Sequence, residues 1–142
     1  MKRKVEKMTA KEFQAKHGSI APTASKRRGR TKSKPGEMNA TEYRYYSRLV
    51  YLKYEQKIKW HSEFEPIKIK VSNRTEHSRE QWYKPDFMFK DNNGQTWIID
   101  VKGHEERVAI NKMKVIADKY CGMYDHFAFV SDTKNGWKIK EF

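Results

Sequence analysis

The residues of this chain whose types and spacing could do chemistry lie between 85 and 103: Pro85-Asp86-Phe87, a short polar break, then Ile98-Ile99-Asp100-Val101-Lys102-Gly103. Two carboxylates and an amine thus fall around one expected hairpin. That set suits a hard divalent cation, which takes oxygen ligands and keeps positions open for water and a phosphate oxygen. Asp100 and Lys102 are two apart in a segment of strand composition, so their side chains point to one face. Ile98 shares that face, and Trp97, Ile99 and Val101 are expected to pack into the core from the other. A lysine beside such a cation can position a water, help it lose a proton and offset charge on a phosphate, which is what metal-assisted phosphodiester hydrolysis requires.

Each fragment has a plainer reading when taken alone. Pro85-Asp86 is a common turn, and Asp-x-Lys on a strand is usually a solvated ion pair of little energetic weight. Only the two together around a hairpin favour a site. Glu42, at the third helical position after Asn39, either closes a capping box and meets the helix dipole or supplies a third acid, and the sequence leaves both roles open. His61, His77, His104 and His126 are scattered and receive no catalytic role. The tyrosines at 43, 45, 46, 51 and 54 read as core or interface before base-stacking.

The elements that must position these residues follow from period and punctuation. Strands over 86–90 and 95–102 flank Asp91-Asn92-Asn93-Gly94, whose Asn-Gly step favours a tight turn. A helix runs from the Asn39 cap to about residue 57, with Tyr46, Leu49, Val50 and Lys53 at helical spacing. Residues 64–71 alternate as a half-buried strand, and Pro66 points to an edge or a start. Residues 72–84 read as a loop. A second helix over 105–120 carries the stripe Ala109, Met113, Ile116, Ala117 and Tyr120, and strands over 126–131 and 137–142 complete a mixed α/β order.

The chain's 142 residues suffice for one domain. Lys and Arg number 31 against 18 Asp and Glu, a net charge of +13 that suits a polyanion, with nucleic acid the first candidate. Residues 1–41 hold 12 basic and 3 acidic side chains, against 19 and 15 over 42–142. Residues 1–38 therefore read as a flexible basic arm, with a short helix over 8–16 begun by Thr9, and residues 39–142 as the folded domain. In the arm, Arg27, Arg28, Arg30, Lys32 and Lys34 are expected to grip phosphates, with affinity falling steeply as salt rises. The single Cys121 excludes an intramolecular disulfide and a cysteine-based zinc site, and fits a reducing, cytoplasmic setting. No apolar run reaches the ~18 residues of a membrane span, and no secretion-signal core is expected at the start.

Glu42, Pro85-Asp86 and Asp100-Val101-Lys102 together resemble the helix acid and the two motifs of the PD-(D/E)xK nuclease superfamily, in its order and spacing. Thr41-Glu42, Pro85-Asp86-Phe87 and Val101-Lys102-Gly103 are similar to small phage-encoded members, including Holliday-junction endonucleases and related phage proteins of uncertain role. The resemblance spans roughly residues 39–131. It implies a restriction-endonuclease-like mixed β-sheet flanked by helices. It also implies Mg²⁺, with Mn²⁺ as a substitute, held by Asp86, Asp100 and the main-chain carbonyl of Val101. Lys102 is then the catalytic lysine, Glu42 a supporting acid, and Arg107 and Lys112 phosphate contacts. The function expected is a metal-dependent DNA endonuclease, selective on the resemblance for branched or structured DNA, in the cytoplasm of a bacterial host. A homodimer is compatible with paired nicking. The alternatives are an inactive nuclease-fold protein that binds or packages DNA, and an RNase, because nothing in the motifs reports on a 2′-hydroxyl.

Overall fold

The computed structural model describes residues 34–142; the arm residues Arg27, Arg28, Arg30 and Lys32 and the helix expected over 8–16 lie outside the described residues. The order is α1 (Ala40–Tyr54), β1 (Ile58–His61), β2 (Ile69–Ser72), β3 (Gln81–Tyr83), β4 (Phe87–Asp91), β5 (Thr96–Val101), α2 (Arg107–Tyr120), β6 (His126–Thr133) and β7 (Gly136–Glu141). Five strands form a mixed sheet in the order β1-β4-β5-β6-β7, while β2 and β3 make a separate two-stranded ribbon. Strands β5 and β6 are parallel and the other pairs antiparallel. Parallel neighbours cannot be joined by a tight turn, so α2 serves as the crossover between them.

Helix α1 starts where Asn39 accepts the N–H groups of Thr41 and Glu42 and the Glu42 side chain returns to the Asn39 N–H, a complete capping box. It stops because Gln56 takes a left-handed φ of 56°, a post-helix conformation usually given to glycine. With no glycine to mark the stop, the helical pattern reads on to residue 57 and hides β1, a strand the sequence analysis lacks. The buried stripe of α1 is Tyr45 and Leu49, with Tyr46 and Leu52 partly buried against the core, so the expected Tyr46 and Leu49 face inward while Lys53 is exposed.

Two further boundaries differ from expectation. Strand β2 begins at Ile69 and not at 64, because Glu65 is left-handed (φ 49°) and Pro66 has no N–H to give a neighbour. Within the expected 72–84 loop, Gln81–Tyr83 forms β3, with Tyr83 opposite Ile69 and Trp82 opposite Lys70. Three residues are too few to display a period, and only their aromatic content marks them.

The sheet is covered on both faces. One core joins Tyr45 and Leu49 of α1 to Ile58, Phe87, Ile99, Val101, Ala128 and Val130. The other joins Met113 and Ile116 of α2, and Ile69, Val71 and Tyr83 of the ribbon, to Ile98, Phe127 and Phe129. Consequently Ile98, Ile99, Asp100 and Val101 are all buried, and the face of β5 that carries Asp100 is covered by the ribbon and α2. Among the described residues no helix is long and apolar enough to cross a membrane.

Leu49 is fully buried where α1 meets the sheet. Leu49→Ala should cost about 2–5 kcal/mol of stability, the range for deleting a buried leucine side chain. Urea unfolding checks this, and a loss under about 1 kcal/mol would mean that α1 is not seated as described.

Candidate active site

The register of β4 and β5 brings the two aspartates together. Phe87 lies opposite Ile99, so one step further along both strands sets Asp86 against Asp100, and residues directly opposite share a face. The segment after β1 braces Asp86. Ser62 N–H donates to the Met88 carbonyl at 2.8 Å, Met88 N–H donates to Ser62 Oγ at 2.9 Å, and Glu65 N–H donates to the Asp86 carbonyl at 2.9 Å. Pro85 is fully buried beside it. Asp86 Oδ2 accepts the Val101 N–H at 2.7 Å. The Lys102 N–H donates to the Val130 carbonyl at 2.8 Å, extending the parallel pairing one residue and fixing where the lysine stands.

Asp100 is 3% exposed and Asp86 9%. Lys102 Nζ sits 2.7 Å from Asp100 Oδ2, and the Tyr83 hydroxyl donates to that same oxygen. The Asp86 carboxyl is pushed up to about 9, first by burial and then by the hydrogen bond with Asp100 and its charge, against a smaller opposing pull from the Val101 N–H. Burial and the Asp100 charge likewise hold the Tyr83 phenol far above its ordinary value, so it stays a donor. Tyr83 is a site residue that sequence reasoning missed, because it lies in the short β3 segment that reads as loop. Its only signal is the aromatic pair Trp82-Tyr83 two residues before Pro85.

Glu42 stands within the field of the site. Burial raises its pKa, the Asn39 N–H lowers it, Asp100 raises it and Lys102 lowers it. Its carboxylate is nonetheless engaged by Asn39, with Oε2 2.7 Å from the main-chain N and Oε1 2.7 Å from Nδ2. The cap expected for Glu42 is therefore formed, and a role as third acid would require it to turn away from Asn39. Lys34 is exposed before α1, Arg107 is exposed at the first residue of α2, and Lys112 is half-buried further along that helix. Among the described residues, no ion pair joins Lys34, Arg107 or Lys112 to the carboxylates. His61 meets Tyr46 edge to face and His126 stacks on Trp97, and His104 is exposed.

The donor set fits a hard cation in kind. Two buried carboxylates face each other with one ammonium group as counter-charge, and a divalent ion in place of the retained proton would relieve their repulsion. Among the described residues no three His, Cys, Asp or Glu side chains gather closely enough to hold a metal. The side chains here thus offer two ligands, leaving the remaining positions to a main-chain carbonyl, water and phosphate, as Mg²⁺ commonly accepts.

The raised Asp86 value has a definite sign. In metal-free buffer with chelator, the folded protein keeps a proton that the unfolded chain releases near pH 4, so stability should fall as pH climbs from about 4 towards about 9. Asp86→Asn should flatten that fall, as read from urea unfolding across the interval. An equal slope in both proteins would contradict the retained proton.

A search of curated proteins finds no match. A family model described as "Protein of unknown function (DUF1064)" matches residues 38–136, from just before the Asn39 cap to the first residue of β7. That span contains Glu42, Tyr83, Asp86, Asp100 and Lys102, and this chain belongs to the DUF1064 family of proteins of unknown function.

Proposed function

We propose that this domain is a metal-dependent endonuclease with a restriction-endonuclease-like core that hydrolyses DNA phosphodiesters. The observation that carries the reading is the buried Asp86 and Asp100 pair, set face to face by strand register with Lys102 2.7 Å from Asp100. The order of helix, antiparallel hairpin and crossover helix supports it, since this is the order that the sequence resemblance implies. A hard divalent ion, Mg²⁺ with Mn²⁺ as a substitute, supplies Lewis acidity toward a phosphate oxygen and acidifies water when bound. Asp86 and Asp100 would hold it, together with the main-chain carbonyl of Val101, the third ligand that the resemblance implies. Tyr83 keeps Asp100 oriented. In this reading Lys102, held at Asp100, orients the attacking water, takes part in its proton loss and offsets charge on the phosphate.

Branched or structured DNA is the substrate class that the resemblance favours. The second reading, a nuclease-fold protein that binds nucleic acid without cutting it, draws on one observation: both Glu42 oxygens are engaged by Asn39.

Among labelled single-stranded, duplex, flap and four-way-junction DNA, with RNA alongside, the full chain should cut flap or four-way-junction DNA fastest in Mg²⁺ or Mn²⁺. Asp100→Ala should lower the rate by about 10²–10³-fold, the range for losing an electrostatic stabiliser, and Lys102→Ala by about 10²–10⁴-fold, the range for losing a proton-transfer group. Binding without cleavage in either metal would overturn the hydrolase and leave the second reading.

A further inference from the structure

The β2–β3 ribbon has a face that the site does not use. Side chains alternate along a strand, so Ile69, Val71 and Tyr83 turn into the core while Lys70 and Trp82, opposite each other in register, turn away from it. The ammonium groups of Lys68 and Lys70 lie over the Trp82 ring, 4.8 and 5.0 Å from its centroid, so a base that stacks on the indole displaces them outward, toward its own phosphates. Residues 73–80, which join the two strands, are exposed throughout and add Arg74 and Arg79.

Positive charge is concentrated here. Residues 68–84 hold five basic and two acidic side chains, a surplus of three, while all of 42–142 holds 19 and 15, a surplus of four. The folded domain outside the ribbon is therefore close to neutral. An indole among cations is the combination that binds a nucleic-acid strand, with phosphates on the cations and a base on the ring. A duplex keeps its base faces stacked inside, so the indole selects for an unpaired nucleotide. Lys70 also pairs with Glu80 at 3.2 Å, but an exposed pair of this kind holds weakly and yields to a phosphate.

We propose that the solvent face of the ribbon, made by Lys68, Lys70, Arg74, Arg79 and Trp82, binds a single-stranded nucleic-acid segment with one base stacked on Trp82. The proposal rests on the nuclease reading for its purpose. Trp82 adjoins Tyr83, whose hydroxyl donates to Asp100 from the opposite face of the same short strand, so β3 carries the proposed surface on one side and a support of the carboxylate pair on the other.

The test uses the full chain in EDTA, with a labelled single-stranded oligonucleotide and a duplex of equal length. The single strand should quench tryptophan fluorescence in the wild type, and Trp82→Phe should remove most of that quench. Trp82→Ala should weaken single-strand binding about tenfold and duplex binding by less than about twofold, with circular dichroism unchanged. Lys68→Gln with Lys70→Gln should lower the slope of log K against log salt by about 1.4, at ~0.7 per phosphate contact on a single strand. Unchanged affinity and quench in the Trp82 variants, or equal losses on duplex and single strand, would overturn the ribbon. Cleavage in Mg²⁺ with an indifferent Trp82→Ala would sink the ribbon alone. Quench and a tenfold loss without cleavage would sink the nuclease alone.

Discussion

Asp86 and Asp100 face each other across β4 and β5 with almost no exposure to solvent. Taking a carboxylate out of water costs several kcal/mol even after relaxation, and a second one alongside adds repulsion. Three devices answer this in the fold. The Val101 N–H and the Tyr83 hydroxyl each give one oxygen a donor, Lys102 gives Asp100 a counter-charge, and burial beside Asp100 raises the Asp86 pKa, which favours its neutral form. These groups come from β3, from the residue before β4 and from the end of β5, so the pair exists only when all three segments are in place.

That dependence explains the two-sided burial of β5. Were the sheet open on the α2 side, Asp100 would be solvated and would have little use for Tyr83. The ribbon closes that side with Ile69, Val71 and Tyr83 and so converts an ordinary strand carboxylate into a perturbed one. On the other side, α1 seats Tyr45 against Phe87 and Trp137, and the capping box at its start keeps Glu42 near the charges without pressing it onto them.

Much of this was legible from residue types. The β4–β5 hairpin follows from alternation around an Asn-Gly step, both helices from apolar spacing, the start of α1 from Asn39 and Glu42, and the approach of Asp86 to Asp100 from pairing across the turn. Other features were not legible, for specific reasons. Gln56 takes a backbone conformation for which sequence rules look to glycine, so β1 was concealed behind an overlong helix. Strand β3 has three residues and its partner β2 only four, too few for a period to stand out. Because that ribbon was read as a loop, Tyr83 and the covered face of β5 were invisible together.

The outermost strands of the five-stranded sheet carry a consequence for self-association. Strand β1 is four residues long with an irregular register between Ile58 and Trp60, and β7 exposes Lys138 and Lys140 on either side of Ile139, with Lys140 paired to Glu105. A kinked margin on one side and repeated ammonium groups on the other frustrate lateral zipping of one molecule onto the next. A twofold particle built from this fold would be guided away from continuous sheet extension and toward contacts made by helices or connecting segments.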